Sequence, residues 1–158
     1  MPKLFLFATI AAALMACASS PEPSPTFSMS EDQYTDVAEN YSAHTQKYDG
    51  PYNVLEVNAT LMNTHVIEAQ TLRQASVFQW SKPKYQKALE EKQNASKEKT
   101  EVFISFFTHD KKSGDLTRTN TLWTILLKVD GKEFAGIPKK LSSLPVEISS
   151  LYPNHNRW

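Results

Sequence analysis

Apolar and polar residues alternate along the stretch Asn53-Val-Leu-Glu-Val-Asn-Ala-Thr-Leu-Met62. An apolar set falls on one face of the extended chain and a polar set on the other. The apolar set is Leu55, Val57, Ala59 and Leu61, and the polar set is Glu56, Asn58 and Thr60. A period of two residues is typical of a half-buried strand in an antiparallel sheet.

The segment that follows this strand, from Thr64 to Lys99, changes to a helical composition. It contains no glycine, and Pro83 is its single proline. Ala, Gln, Glu, Lys and Leu dominate, and all of them favour helices. Pro83 fits the first turn of a helix, where its missing N–H costs nothing. We therefore predict two helices, at about 65–80 and 83–98.

The rest of the chain returns to strands, with a helix expected before Asn53. Aromatic and β-branched residues predict strands near 101–109 and 118–129, with Trp123, Ile125, Leu127 and Val129 facing inward. Asp130-Gly131 predicts a two-residue hairpin turn into a strand at 132–137. Upstream, the capping-box pattern Ser30-Glu-Asp-Gln33 begins a helix at about 31–44. Residues 146–151 fit either a short strand or a helical turn.

These elements together predict an α+β fold. We expect an antiparallel β-sheet or β-sandwich with a helical insertion between the first two strands, forming one globular domain over residues 31–158. The chain ends at Trp158. Either this residue docks into the core, or the sequence is a fragment that lacks a final strand.

The N-terminus carries an export signal. Lys3 is followed by an uncharged, mainly apolar run from Leu4 to Ala16. As a helix this run would be about 20 Å long, too short for a hydrocarbon core of about 30 Å. A short basic start, an apolar run and small residues before a cleavage point are typical of a secretory signal.

Residues Leu14-Met15-Ala16-Cys17 place the single cysteine of the chain at the end of that signal. This motif resembles the lipobox of bacterial lipoproteins. The resemblance implies cleavage between Ala16 and Cys17, a diacylglyceryl thioether on Cys17, and acylation of the new amine, palmitate being one acyl group. In lipoproteins an Asp after the cysteine favours inner-membrane retention, and Ala18-Ser19 lacks it, so the outer membrane is favoured. The alternative is an ordinary secretory signal with a coincidental cysteine.

A spacer follows the lipidation site. Residues 17–30 are rich in Pro and Ser and favour an extended tether of roughly 40 Å. Cleavage removes Lys3 and leaves 16 basic and 17 acidic side chains, so the overall charge offers no support for a nucleic-acid partner. With Cys17 acylated, no thiol remains for a disulfide, a nucleophile or a metal site.

No catalytic or metal motif stands out in the sequence. The four histidines, His44, His65, His109 and His155, have no metal-binding spacing. His109, Asp110 and Asp115 form one local grouping that could bind a metal or transfer protons, although a solvated loop explains them as well. His155, between two asparagines, fits a polar binding feature or turn hydrogen bonding. We expect no cofactor, no metal and no enzymatic activity.

Aromatic residues give the remaining candidate site. Their dispersion over helices and strands fits a core, and also a groove for an apolar ligand. The set is Phe78, Trp80, Tyr85, Phe103, Phe106, Phe107, Trp123 and Phe134. The sequence thus predicts an envelope lipoprotein that acts as a non-enzymatic binding, assembly or envelope-maintenance module, with a protein or cell-wall partner. The alternatives are a carrier of a small apolar or amphipathic ligand and, less favoured, a periplasmic hydrolase.

Overall fold

The computed structural model describes residues 27–142 and 145–152. Four α-helices, five strands and a single 3₁₀ turn alternate over this part of the chain, so the predicted α+β class is confirmed. In chain order they are α1 (Glu31–Glu39), β1 (Ser42–Asp49), β2 (Tyr52–Leu61), α2 (Thr64–Val77), α3 (Lys82–Glu98), β3 (Val102–Thr108), the 3₁₀ turn (Lys111–Ser113), β4 (Leu126–Val129), β5 (Lys132–Ala135) and α4 (Pro145–Leu151).

The first helix begins where the sequence indicates and ends earlier. Both bonds of the capping box form, because Gln33 N donates to Ser30 Oγ and Ser30 N donates to the Gln33 side chain. The Ser42 hydroxyl then donates to the carbonyl of Ala38 at 2.7 Å. Residues 42–49 leave the helix and form β1, so the predicted helix at 31–44 was too long. The helical insertion accordingly lies between β2 and β3 rather than between the first two strands.

Strands β1, β2 and β3 form one antiparallel sheet in that spatial order. Asp49 and Tyr52 pair across the first hairpin, and Gly50 supplies a positive φ of 56° in its turn. The pairing of β1 with β2 shifts register between Lys47 and Tyr48, which leaves Val54 of β2 as the extra residue of a β-bulge. Ala59 pairs with Ala43 on one side and with Ile104 on the other.

The polar face of β2 is the buried one, contrary to the usual arrangement of a half-buried strand. Side chains from α1, β2, β3 and α4 surround one small cavity, which shows that the helices cover the face that carries Thr60. Glu56, Asn58 and Thr60 are buried there. The alternate residues of β2 lie on the opposite face, where Leu61 remains exposed. Alternation identifies the two faces of a strand, but it cannot say which face the helices will cover.

The helix layer is held together by a small core and by buried hydrogen bonds. Tyr34, Ala38 and Ala69 join α1 to α2. The Tyr34 hydroxyl donates to the carbonyl of Leu151, which ties α4 to this layer. Residues 145–151 form this helix, so of the two alternatives for residues 146–151, a short strand or a helical turn, the structure shows the helical one.

The two predicted central helices are confirmed as α2 and α3, with Pro83 in the first turn of α3. Helix α2 ends at Val77, three residues before the predicted end. Gln79 adopts a positive φ of 48°, and Trp80 N donates back to the carbonyl of Ala75. This left-handed residue closes the helix as a glycine usually does.

The predicted Asp130-Gly131 hairpin turn is confirmed between β4 and β5. Both residues have a positive φ, 49° and 76°, as this tight turn requires. Gly136 N donates to the carbonyl of Ile125, and a Cβ at Gly136 would lie 2.9 Å from the Ile125 side chain. Strand β4 is much shorter than the predicted 118–129. The hairpin forms its own two-stranded sheet.

Candidate functional site

The predicted grouping of His109, Asp110 and Asp115 resolves into two separate turns. The Asp110 carboxylate accepts from Ser113 Oγ at 2.7 Å and from Lys112 N at 3.0 Å. Hydrogen bonds, first from the Ser113 hydroxyl, hold the pKa of Asp110 below its usual value, and His109 adds a weaker effect.

The Asp115 carboxylate instead accepts from the hydroxyl and the backbone N–H of Thr117, at 2.6 and 2.9 Å. Those bonds lower the pKa of Asp115. Each aspartate thus stabilises its own turn. Among residues 27–142 and 145–152 no set of three metal-ligating side chains comes together.

A different histidine contacts a carboxylate. His44 Nε2 lies 3.2 Å from Glu56 Oε1, across β1 and β2. The side chain of Glu56 is 3% exposed, whereas that of His44 is 40% exposed. Asn53 Nδ2 donates to the second oxygen of Glu56 at 2.9 Å. The pair therefore joins a buried carboxylate to a half-exposed imidazole.

The polar row around this pair continues along the helix side of the sheet. Asn58 stands opposite His44 on one side and opposite Ser105 on the other. Asn58 and Ser105 are both buried. Farther along the strand, the hydroxyls of Ser42 and Thr60 lie 2.7 Å apart. Ser42, Thr60 and Glu56 have hydrogen-bond partners in this row, as buried polar groups usually do, whereas the buried Nδ2 of Asn58 has none among the described residues.

A buried carboxylate that orients an exposed imidazole can support proton transfer, but a hydrolase that acts through a covalent intermediate also needs a hydroxyl beside the imidazole. No hydroxyl in the described part of the chain has a hydrogen bond to the His44 ring. The pair has the geometry of a structural hydrogen bond across the sheet. Sequence reasoning missed it because the partners are 12 positions apart and His44 was assigned to a helix.

The predicted aromatic groove is not assembled. Phe106 meets Trp123 edge-on at 5.3 Å between ring centres, and this contact lies on the face of the sheet opposite the helices. Phe103 stacks on Tyr152 at 4.2 Å on the helix side. Phe78 and Phe134 are exposed. The predicted aromatic set is thus divided between the two faces of the sheet and the surface.

The described residues enclose little space for a ligand. The cavity among Tyr34, Thr60, Phe103 and Leu151 has a volume of about 10 Å³. Such a space holds about one water molecule. An open recess of about 400 Å³ lies at the surface, beside Lys112, Arg118 and Leu122.

The most distinctive surface feature is an exposed apolar segment. Of the twelve large hydrophobic side chains that are exposed in the described residues, seven lie between Leu122 and Leu141. Leu127 and Phe134 pair directly across the hairpin, and Val129 is on the same face. We call Leu127, Val129 and Phe134 the hairpin face. They are 41%, 46% and 52% exposed.

Several predicted features lie outside the described residues. They are the cleavage site at Ala16, the lipidation site at Cys17, His155 and Trp158. Phe27 to Ser30, at the end of the predicted tether, pack on the helices: Arg73 donates to the Met29 carbonyl at 2.9 Å, and Phe27 contacts Tyr85. None of the described helices is long and apolar enough to cross a bilayer.

Comparison with known proteins gives no match, whether with family models, with curated proteins or with solved structures.

Proposed function

We propose that this protein is a bacterial lipoprotein, anchored through Cys17, whose domain is a non-enzymatic binding or assembly module of the cell envelope. The observation that carries the proposal is the motif Leu14-Met15-Ala16-Cys17 at the end of an export signal. Because Ala18 and Ser19 follow the cysteine, the periplasmic side of the outer membrane is the favoured location. The lipid confines the domain to a surface and raises its effective concentration toward partners there.

The exposed segment from Leu122 to Leu141 supports a binding role. Apolar side chains gathered on a surface are typical of interaction sites. The predicted partner is therefore one that covers this segment, either a protein or another component of the envelope.

The carrier alternative has less support. A ligand pocket usually measures several hundred cubic ångströms and encloses most of its ligand. The cavity in the described core measures about 10 Å³, and the larger recess is lined mostly by polar residues, which suits an apolar ligand poorly. The hydrolase alternative would need a nucleophile beside His44 or His109.

The anchor is tested by replacing Cys17. We expect the wild type to incorporate a palmitate analogue in growing cells and Cys17→Ser to lose the label, because serine has no thiol for the thioether. Ser19→Ala is the matched control, since it changes a neighbouring hydroxyl and leaves Cys17 in place, and it should label as the wild type does. Continued labelling of Cys17→Ser would contradict the anchor.

The partner is tested by crosslinking in cells that carry either the wild type or Cys17→Ser, followed by purification of the protein. A partner that is captured with the wild type and lost with Cys17→Ser supports an assembly module confined to a surface. If neither form captures a protein, an assembly role with a protein partner is contradicted, and mass spectrometry of co-purifying small molecules then tests the carrier.

A further inference from the structure

The exposed apolar residues between Leu122 and Leu141 are interleaved with lysines. Lys132 stands opposite Val129 and is therefore on the hairpin face itself. Lys139 and Lys140 follow β5 and are exposed. An apolar face that carries a lysine, with two more exposed lysines a few residues along the chain, combines the two features that bind peripheral proteins to a lipid surface.

Charge is segregated along the chain, although its sum is close to zero. Residues 110–142 contain seven basic and four acidic side chains, a net charge of +3. Residues 27–109 contain eight basic and eleven acidic side chains, a net charge of −3. The positive excess thus coincides with the exposed apolar segment.

Two of the four carboxylates in the basic segment have cationic neighbours. Lys128 Nζ lies 2.7 Å from Glu133 Oε1 on the side of the hairpin away from Leu127 and Phe134. Arg118 Nε lies 3.6 Å from Asp115 Oδ2. Lys140 also acts on Asp115 electrostatically, so the segment after β5 lies near the loop that precedes β4. Lys132 and Lys139 have no salt bridge among the described residues.

From this juxtaposition we infer that the hairpin face and its lysines dock on a bilayer that contains anionic lipids. Leu127, Val129 and Phe134 enter the interface between headgroups and acyl chains, while Lys132, Lys139 and Lys140 contact lipid phosphates. This deepens the proposed function and rests on it, because the anchor on Cys17 holds the domain beside the membrane. The net charge of +3 favours an anionic lipid surface over a second copy docked through the same segment, which would carry the same charge.

The test uses the lipidated protein reconstituted into vesicles. Because Cys17 is acylated, Val129→Cys supplies a single thiol for a fluorophore near the tip of the hairpin face. The vesicles contain phosphatidylcholine alone, or an equal mixture with phosphatidylglycerol, and both include a nitroxide lipid that quenches nearby fluorophores. We expect strong quenching in the anionic vesicles and much less in the neutral ones. A fluorophore at Ala43→Cys, on exposed β1, is the position control and should stay bright.

Charge reversal separates docking from simple proximity. Lysines near an anionic bilayer strengthen binding roughly fivefold each. Lys132→Glu with Lys139→Glu should therefore weaken docking by about 25-fold or more, and quenching should fall to the level seen in neutral vesicles. Lys87→Glu with Lys97→Glu makes the same charge change on α3 and should leave quenching unchanged. All four lysines are exposed, so these variants keep the fold.

Three results would overturn the inference. The first is equal quenching at positions 129 and 43, and the second is quenching that does not change with anionic lipid or with charge reversal. The third is crosslinking of position 129 between two copies. Flotation distinguishes this failure from failure of the proposed function. A protein that floats with the vesicles and stays bright is anchored without docking. A protein that does not float contradicts the anchor itself.

Discussion

At the scale of single residues, burial of polar groups is the main departure from a simple core. Glu56 and Asn58 are 2% and 3% exposed, although a strand of this pattern usually turns such residues to solvent. Glu56 is stabilised by two side-chain bonds, from His44 and Asn53. A buried carboxylate is costly once a partner is removed, because its remaining charge is no longer compensated.

We predict that His44→Ala lowers the free energy of unfolding by about 1–2 kcal/mol. The loss stays below that of a fully buried pair because water can reach the half-exposed site. Adding Glu56→Gln to His44→Ala should recover part of the loss, since the unpaired charge is gone. Urea unfolding measures both effects. Thr45→Ala, an exposed neighbour on β1, is the control, and an equal loss in that variant would contradict a specific role for the pair.

Tyr34 gives a prediction about pH. Burial raises the pKa of Tyr34 to about 12. Its folded-state pKa exceeds the unfolded value, so its contribution to stability is complete at neutral pH and is lost as pH rises from about 10 toward 12. We expect Tyr34→Phe to cost about 1 kcal/mol near neutral pH, through the lost bond to Leu151, and to weaken the alkaline decline. Urea midpoints across this range test it, and parallel declines in both proteins would contradict it.

At the scale of elements, signals from neighbouring residues predicted their structures correctly, whereas the pairing of strands was not predicted. The capping box at Ser30, Pro83 in α3 and the Asp130-Gly131 turn each depend on neighbours within a few residues, and each was predicted. Strand β1 was missed because its polar, exposed residues carry no period; it exists through pairing with β2. The His44–Glu56 contact depends on that pairing and was missed for the same reason. Nothing in residues 118–125 could show that β4 starts only at Leu126.

The hairpin of β4 and β5 should open more easily than the three-stranded sheet. Two strands with no third partner are marginally stable, and every residue of both strands is exposed. We predict that amides of β4 and β5 exchange hydrogen at least about tenfold faster than those of β2. Hydrogen exchange with mass spectrometry measures this in the protein free of vesicles. Equal protection in the two sheets would show that another contact holds the hairpin.

At the scale of the whole molecule, the net charge is close to zero because a negatively charged segment and a positively charged segment balance each other. The acidic part, residues 27–109, contains α1, α2, α3 and the three-stranded sheet, and the basic part, residues 110–142, contains the hairpin and its loops. The total charge argued against an anionic partner, whereas the distribution supports one. Composition alone could not show this, because it does not record which cations lie beside exposed apolar side chains.

The β2 bulge beside the end of β1 also affects how copies would behave on a membrane, if the domain is anchored there as we propose. Outer strands can recruit the same strand of a neighbouring copy and polymerise, and anchoring raises that risk by concentrating the copies in two dimensions. The register shift between Lys47 and Tyr48 distorts the hydrogen bonding between β1 and β2 at this end, and the charge of Lys47 on the outer strand disfavours pairing with another copy. The irregular end of β1 is thus a poor template for strand pairing between copies, which would keep neighbouring domains separate at high density on a membrane.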